Sequence, residues 1–482
     1  MMRSVTLIFL AAFHFSQAQN PIVPAGVYIA DPTARVWDDG KLYIYGSLDE
    51  STEYYCSWRH HVLETSNMIN WRIHEDRFAS KGENDQVLYS DALLFAPDAM
   101  YKDGTYYLYY CLSDINGTEG VATSGKPTGP FTNGQKIELN GIEEIDPAVF
   151  IDDDGQGYYI WGQFSAKIAK LKPNMKEIDT STIIKDLVTE EEHYFHEGGF
   201  MVKRNGLYYF IYADISRGNR PTCIGYATSS SPFGPFKYGG VIVDNNYSDP
   251  SNWNNHGSVA EYKDQWYVFY HRATHNSRMM RKACVEPIHF NEDGSIDEVE
   301  MTTQGAGPPL NALDKLEAER ACLLFGNVRI QAFDKYKEEL GLIHHKDNVA
   351  YKYIDFKEGI RSFTVNAKAM NGGRISICLD QPWHKEVSSI DIPEGDGKTW
   401  QEYKGEIKDI EGVNVILGTR NKGDIVYWVH RAIEEEELIV KVDDVLKNKV
   451  IEKLKIEDYK DKTRAFLKIQ DGCNRFCSYC LI

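Results

Sequence analysis

From about Ala25 to Thr303 the hydrophobic and polar positions fall into one recurring pattern, a turn signal followed by a short strand dense in Tyr, Trp and Phe. The copies are DDGKLYIYGS (Asp38–Ser47), KDGTYYLYYC (Lys102–Cys111), DDGQGYYIWG (Asp153–Gly162), KRNGLYYFIY (Lys203–Tyr212) and YKDQWYVFYH (Tyr262–His271). Asp-Gly and Asn-Gly suit tight hairpins because both central residues need positive φ. A second strand precedes each copy, in order PTARVW, PDAMYK, PAVFID, GGFMVK and GSVAEY. The repeating unit is thus strand, turn, strand, followed by further short strands, and helical periodicity is nearly absent. Five units of roughly 56 residues have the scale of propeller blades. The pattern predicts an all-β chain built on a five-bladed β-propeller. The competing arrangement is a β-sandwich with irregular hairpins.

One chemical feature repeats with the strands. Just before the first strand of each unit stand, in order, Asp31, Asp98, Asp146, Glu197 and His256. The innermost strand of every blade lines the central axis, so residues at its start converge on one mouth of the channel. A single Asp-Pro is ordinarily a turn. Acids at equivalent positions are a different matter, because like charges gathered at one point cost stability and are tolerated mainly where chemistry needs perturbed carboxylates. Glycosidic cleavage needs one carboxylic acid to protonate the leaving oxygen and a second carboxylate to activate water or attack directly. A third nearby can raise the pKa of the acid by repulsion. Asp31, Asp146 and Glu197 meet that requirement, with Asp98 spare. His256 would bind a cation through neutral imidazole or simply hydrogen-bond within the channel.

Composition narrows the partner. The 482 residues carry a net charge of -18, an acidic balance that argues against a nucleic-acid backbone and suits a neutral substrate such as sugar. Tyrosine is in excess at 30 residues, and aromatic faces both stack on sugar rings and fill β-rich cores. No run of 18 apolar residues occurs, so a spanning helix is excluded. Met1 to Ala18 instead reads as a signal peptide: Arg3, an apolar stretch from Val5 to Phe15, then Ser16-Gln17-Ala18. The chain is expected to be secreted or periplasmic, with Gln19 as the first mature residue. Cys56, Cys111, Cys223, Cys284, Cys322 and Cys378 are scattered and read as mostly buried thiols rather than staples.

The ordered set YIADPTARVWDDGKLYIYGS, FAPDAMYKDGTYYLYY, EEIDPAVFIDDDGQGYYIWG, HEGGFMVKRNGLYYFIY and HGSVAEYKDQWYVFYH resembles glycoside hydrolase family 43. So do ETSNMINW (Glu64–Trp71), PTGPF (Pro127–Phe131) and SPFGPF (Ser231–Phe236). The resemblance covers about Pro21 to Pro309 and implies an inverting enzyme on arabinose- and xylose-containing plant cell-wall glycans. It implies that Asp31 is the general base, Asp146 tunes and orients the acid, and Glu197 is the general acid. His256 matches a channel histidine that often accompanies a hydrated calcium ion, and Arg281, in SRMMRKACVEP, matches an active-site arginine more loosely. Inversion predicts Asp31 and Glu197 carboxyl groups roughly 6.5–9.5 Å apart, with room for a water. Trp58, Trp161 and Trp253 are candidate stacking platforms for the sugar, and each is equally a filler between blades.

Gly305 to Pro309 is a breaker cluster that places a boundary at 309. The segments LEAER, NVAYKYIDFKEGIRSFTVNAKAM, GGRISICLD and TWQEYKGEIKDIEGV follow. They alternate as a β-sandwich would, and their order is similar to carbohydrate-binding module family 6 over residues 310–413. That resemblance implies a structural calcium held by Glu317, Glu319 and Asp380, for which the competing reading is surface carboxylates. The expected final strand is replaced after Val413 by a stretch of different character. Residues 414–482 are lysine-rich and end in Cys473, Cys477 and Cys480. The C-x3-C-x2-C spacing suits a [4Fe–4S] cluster and resembles the start of a radical-SAM tRNA methylthiotransferase. The sequence stops two residues after Cys480, so the expectation is a truncated sandwich fused to a short, non-functional α/β fragment. Two rival functions stand beside the glycosidase: a non-catalytic glycan-binding propeller, and an iron–sulfur tRNA-modifying enzyme.

Overall fold

The computed structural model describes residues 19–114, 119–218, 220–356, 360–383 and 386–407, together with 415–417, 431 and 439–441. The chain divides into two compact units, Met1–Asp355 and Phe356–Ile482.

The first unit holds a ring of five antiparallel sheets. Blade 1 is β1 (Ile29–Val36), β2 (Leu42–Leu48), β3 (Arg59–Thr65) and β4 (Arg72–Ala79). Blade 2 is β5 (Asp98–Lys102), β6 (Thr105–Tyr110), β7 (Gly120–Ser124) and β8 (Thr132–Lys136). Blade 3 is β9 (Ala148–Ile151), β10 (Gly157–Trp161) and β11 (Lys167–Lys170), with Ile184 bridging Ile168 at its outer edge. Blade 4 is β12 (Phe195–Arg204), β13 (Leu207–Asp214), β14 (Cys223–Ser229) and β15 (Lys237–Asp244). Blade 5 is β16 (Ser258–Tyr262), β17 (Gln265–Thr274) and β18 (Ser277–Ile288). A four-residue helix, α1 (Glu190–His193), capped by the Thr189 hydroxyl, leads into β12.

The aromatic runs explain the ring. Each second strand is covered on both faces, so successive side chains enter different cores. Leu42 and Ile44 of β2 pack with Phe269 and Val285 of blade 5, whereas Tyr43 and Tyr45 pack with Leu108 and Tyr110 of blade 2. The same division gives cores between blades 2 and 3 (Tyr109, Trp161), blades 3 and 4 (Ile160, Phe210) and blades 4 and 5 (Tyr209, Tyr270). Five interfaces for five blades close the circle. A fully buried Phe or Leu stabilises by roughly 1.5–3 kcal/mol, so each interface is a substantial core in its own right.

Closure is made by the start of the described chain. The Asn20 N–H donates to the Thr303 carbonyl at 2.8 Å and the Ile22 N–H to that of Ala283 at 2.9 Å, which sets this segment against β18. The buried Asn20 side chain donates to Val285 O, Thr302 O and Glu286 Oε1 and accepts from the Val285 N–H.

The chain stays β after Pro309. In the first unit, β19 (Leu310–Asn311) pairs with β24 (Ile354–Asp355), β20 (Leu323–Phe325) with β23 (Asn348–Ala350), and β21 (Arg329–Asp334) with β22 (Lys337–Gly341). The second unit contains β25 (Ser362–Ala367) paired with β28 (Gln401–Glu406), and β26 (Asn371–Cys378) with β27 (Glu386–Glu394). The expected signal peptide and the three cysteines Cys473, Cys477 and Cys480 lie outside the described residues. Of the expected α/β fragment, the described residues include one parallel strand pair, Val415–Leu417 with Ile439–Lys441.

Candidate active site

Two of the inner strands change register where they carry an acid. β1 is irregular between Ala30 and Thr33, and β12 between Phe195 and Glu197 and again between Glu197 and Phe200. Such bulges re-aim a side chain out of the pleat. Asp31 and Asp146 both adopt left-handed backbone, with φ of 50° and 61°, although each precedes a proline. A non-glycine residue held there persists only where its surroundings over-determine it. The surroundings are visible. The Asp31 N–H donates to His271 Nδ1 at 3.1 Å, and the Asp146 N–H to Cys111 Sγ at 3.4 Å.

The side chains converge. His256 Nδ1 stands 3.6 Å from Asp31 Oδ1 and 3.8 Å from Asp146 Oδ2, so acids from blades 1 and 3 meet at one imidazole. Asp31 Oδ1 also accepts from Arg281 Nη1 at 2.8 Å, and its Oδ2 from the Ser47 hydroxyl at 2.7 Å. Glu197 accepts one amide at each oxygen, Gln163 Nε2 at 2.8 Å and Asn254 Nδ2 at 3.1 Å. All three acids are buried, none more than 8% exposed.

Their charges are driven apart. Burial opposes ionisation of Asp31, but Arg281, with His256, His271 and the Ser47 hydroxyl, overcomes it and holds the carboxyl at about 2. His271 is pushed down to about 3 by burial and so is neutral near pH 7, which leaves Arg281 as the standing cation. Asp146 goes the other way: burial, then the charges of Glu197 and Asp31, raise it well above the ordinary carboxylate range. Burial lowers His256 as well, despite Asp31 and Glu197.

The remaining expected residues divide. Asp98 is drawn out of the cluster, because Arg35 holds it bidentately and the Val149 N–H donates to it at 2.7 Å. Arg281 is at the site but occupied. Its Nε and Nη2 donate to the buried Asp49 at 2.9 Å each, so its contacts are to the acids rather than to an open cleft. Trp161 is corrected from sugar platform to core residue: it is 1% exposed and its indole N–H donates to Ile142 O, so neither ring face is free. Trp58 is half-buried, with its indole N–H on Asp91 O and Lys81 over its ring. Trp253 is 36% exposed and lines a cavity of about 390 Å³ with Thr52, Arg220, Asn276, Arg278 and Met279. The Arg278 guanidinium lies 5.7 Å from the Trp253 ring and 5.8 Å from Tyr55, whose other neighbour is Arg281 at 5.0 Å. Tyr55 links that cavity to the acids.

Among the described residues no group of three or more His, Cys, Asp or Glu side chains is placed to hold a metal ion. Glu317 gives an oxygen to Lys315 Nζ at 2.7 Å, Glu319 is raised chiefly by burial, and Asp380 belongs to the second unit.

The profile of glycosyl hydrolases family 43 matches residues 18–296, more than half of the chain. The chain belongs to glycosyl hydrolase family 43. It is 30% identical over 475 residues to a xylosidase/arabinosidase from Thermoclostridium stercorarium, covering 81% of the chain and 96% of that relative. An arabinoxylan arabinofuranohydrolase of the family from Bacillus subtilis, solved in complex with cellotetraose, superposes with a TM-score of 0.52 at 27% identity. That match covers 82% of this chain and 92% of the other. A family 43 β-xylosidase/α-arabinofuranosidase from a compost microbial metagenome, solved with xylotriose, gives 0.51 at 28% identity over 59% of this chain and 98% of the other. Residues 318–429 match carbohydrate-binding module family 6, a β-sandwich following the propeller. The chain is a glycosidase.

Proposed function

We propose that this family 43 enzyme is exported and cleaves terminal α-L-arabinofuranosyl or β-D-xylosyl residues from plant cell-wall xylans, with inversion at the anomeric carbon. Asp31 takes a proton from a water as that water's oxygen forms its bond to the anomeric carbon. The glycosidic C–O bond breaks, its electron pair goes to the leaving oxygen, and Glu197 gives that oxygen its proton. Asp146 orients the acid and tunes it from beside it. One observation supports this division above the others. Asp31 and Asp146 share one imidazole, yet Arg281 holds the first ionised while burial beside two carboxylates resists ionisation of the second. Carboxylates whose environments push them apart take different roles on one fold, and Asp31, the one kept ionised, is the one able to accept the proton of a water.

The sugar class is supported by the activities that name the relatives, a xylosidase/arabinosidase and an arabinoxylan arabinofuranohydrolase. The cavity beside Trp253 and Arg278 offers an aromatic face and a cation next to Tyr55 for the remainder of the glycan. Export is supported by the N-terminal segment and by the carbohydrate-binding module.

The test is a screen on nitrophenyl arabinofuranoside, xyloside and galactofuranoside, then on arabinoxylo-oligosaccharides, with the anomer of the first-formed product read by NMR. Glu197→Gln is expected to abolish turnover of the oligosaccharides while sparing part of the activity on aryl glycosides, whose leaving groups need less protonation. Undiminished activity of that variant on a natural oligosaccharide refutes the acid assignment, and a retained anomer refutes inversion.

A further inference from the structure

Asp31 and Glu197 belong to different blades, yet one run of hydrogen bonds joins them. The Asp31 N–H donates to His271 Nδ1 at 3.1 Å. Because that nitrogen accepts, the ring proton resides on Nε2, which donates to the Asn254 carbonyl oxygen at 2.9 Å. The Asn254 side-chain amide then donates to Glu197 Oε1 at 3.1 Å. The run is buried, with His271 at 0% exposed and Asn254 at 9%. A brace holds its middle: Asn245 Nδ2 donates to both the His271 carbonyl at 2.7 Å and the Asn254 carbonyl at 3.3 Å.

We propose that His271 and Asn254 are positioning residues that act as a strut, fixing the separation between the Asp31 and Glu197 carboxyl groups. The inference rests on the base and acid roles given above. Inversion asks both groups to act on one substrate with a single water between sugar and base, so their spacing is part of the chemistry. Asp31 needs an external tie, since its left-handed backbone before Pro32 is not a conformation it adopts unaided. The strut supplies the tie and references it to the acid.

Two variants cut it at different ends. Asn254→Ala removes the donor to Glu197 but leaves the backbone carbonyl for His271. His271→Gln can keep a donor toward that carbonyl, but its one acceptor is the amide oxygen beside that donor and not at the Nδ1 position that the Asp31 N–H uses. Kinetics are compared on an arabinoxylo-oligosaccharide and on the dinitrophenyl glycoside of the same sugar. A displacement of about 1 Å costs on the order of 10²-fold, so Asn254→Ala is expected to lower kcat on the oligosaccharide by about that factor, with KM almost unchanged. Its effect on the dinitrophenyl glycoside should be small, because that leaving group needs no proton. His271→Gln should lower kcat on both substrates, because water activation is common to them. A folded Asn254→Ala with wild-type kcat on the oligosaccharide, or a loss confined to KM, overturns the strut, and does so even if His271→Gln fails to fold. Glu197→Gln, run alongside, separates the failures: full activity there sinks the underlying acid assignment, whereas an inactive Glu197→Gln beside an unimpaired Asn254→Ala sinks the strut alone.

Discussion

At Asp31 and Asp146, burial is answered in opposite ways, and stability should record it. Asp31 gains Arg281 and is held at about 2, so it stays ionised across the working range of an enzyme. Its contribution to stability is present above the unfolded carboxylate value and fades as pH falls from about 4 toward 2. Asp146 is raised by burial, Glu197 and Asp31, so its charge weakens the fold once pH exceeds that same unfolded value. Asp146→Asn should therefore raise the thermal midpoint at pH 7 while lowering kcat. The gain should vanish near pH 3, where both folded and unfolded carboxyls are protonated, and calorimetry at the two pH values checks it. The convergence of Asp31, Asp146, Glu197 and His256 was legible in the repeat. Asp98 shares its spacing but is held by Arg35, a pairing between β1 and β5 that spacing cannot express. His271, Ser47 and Cys111, which hold the acids' backbones and oxygens, carry a periodic signal of their own. Each is the last letter of an aromatic repeat, and in antiparallel pairing the end of the second strand lies beside the start of the first. Asn254, Gln163 and Asp49 come from loops outside the repeat and left no such signal.

At the level of the strand, the acids depend on irregularity rather than on the pleat. Glu197 lies within the bulged stretch of β12, next to Gly198 at φ 67°. A Cβ at Gly198 would sit 2.8 Å from the His256 ring, so this glycine is needed both for its conformation and for the close approach of the imidazole. Gly198→Ala is expected to cost about 1–3 kcal/mol and to depress kcat, because the His256 ring must leave the place it holds beside Asp31 and Asp146. Thermal unfolding and kinetics of the same preparation check both. The first two strands of every blade could be read from turn residues and aromatic runs. The bulges could not, since they arise from pairing between strands. Trp161 marks the same limit: its fate as a core ring follows from which face of β10 meets blade 2, not from its own identity.

Across the whole molecule, the packing outlasts the last blade. The breaker cluster at Gly305–Pro309 ends the aromatic repeats, but the first compact unit continues to Asp355. Buried Lys282 of β18 pairs with Glu338 of β22 at 2.5 Å, and the Tyr28 hydroxyl donates to the same carboxylate at 2.7 Å. A chain ending at Pro309 forfeits these contacts, a loss of about 3 kcal/mol or more for a broken buried pair. It should melt well below a chain ending at Asp355, which differential scanning calorimetry would show. Local composition marks the break at Gly305–Pro309, and the ion pair reaches across it between a lysine and a glutamate 56 residues apart. The clasp at Asn20 carries the same idea into the life of the molecule. Its partner Val285 is 265 residues away, so the earliest-made piece of the ring has nowhere to dock until blade 5 has left the ribosome. Closure of the circle thus waits for its last blade, and a chain interrupted before Thr303 would offer two raw flanks to whatever molecule it met first.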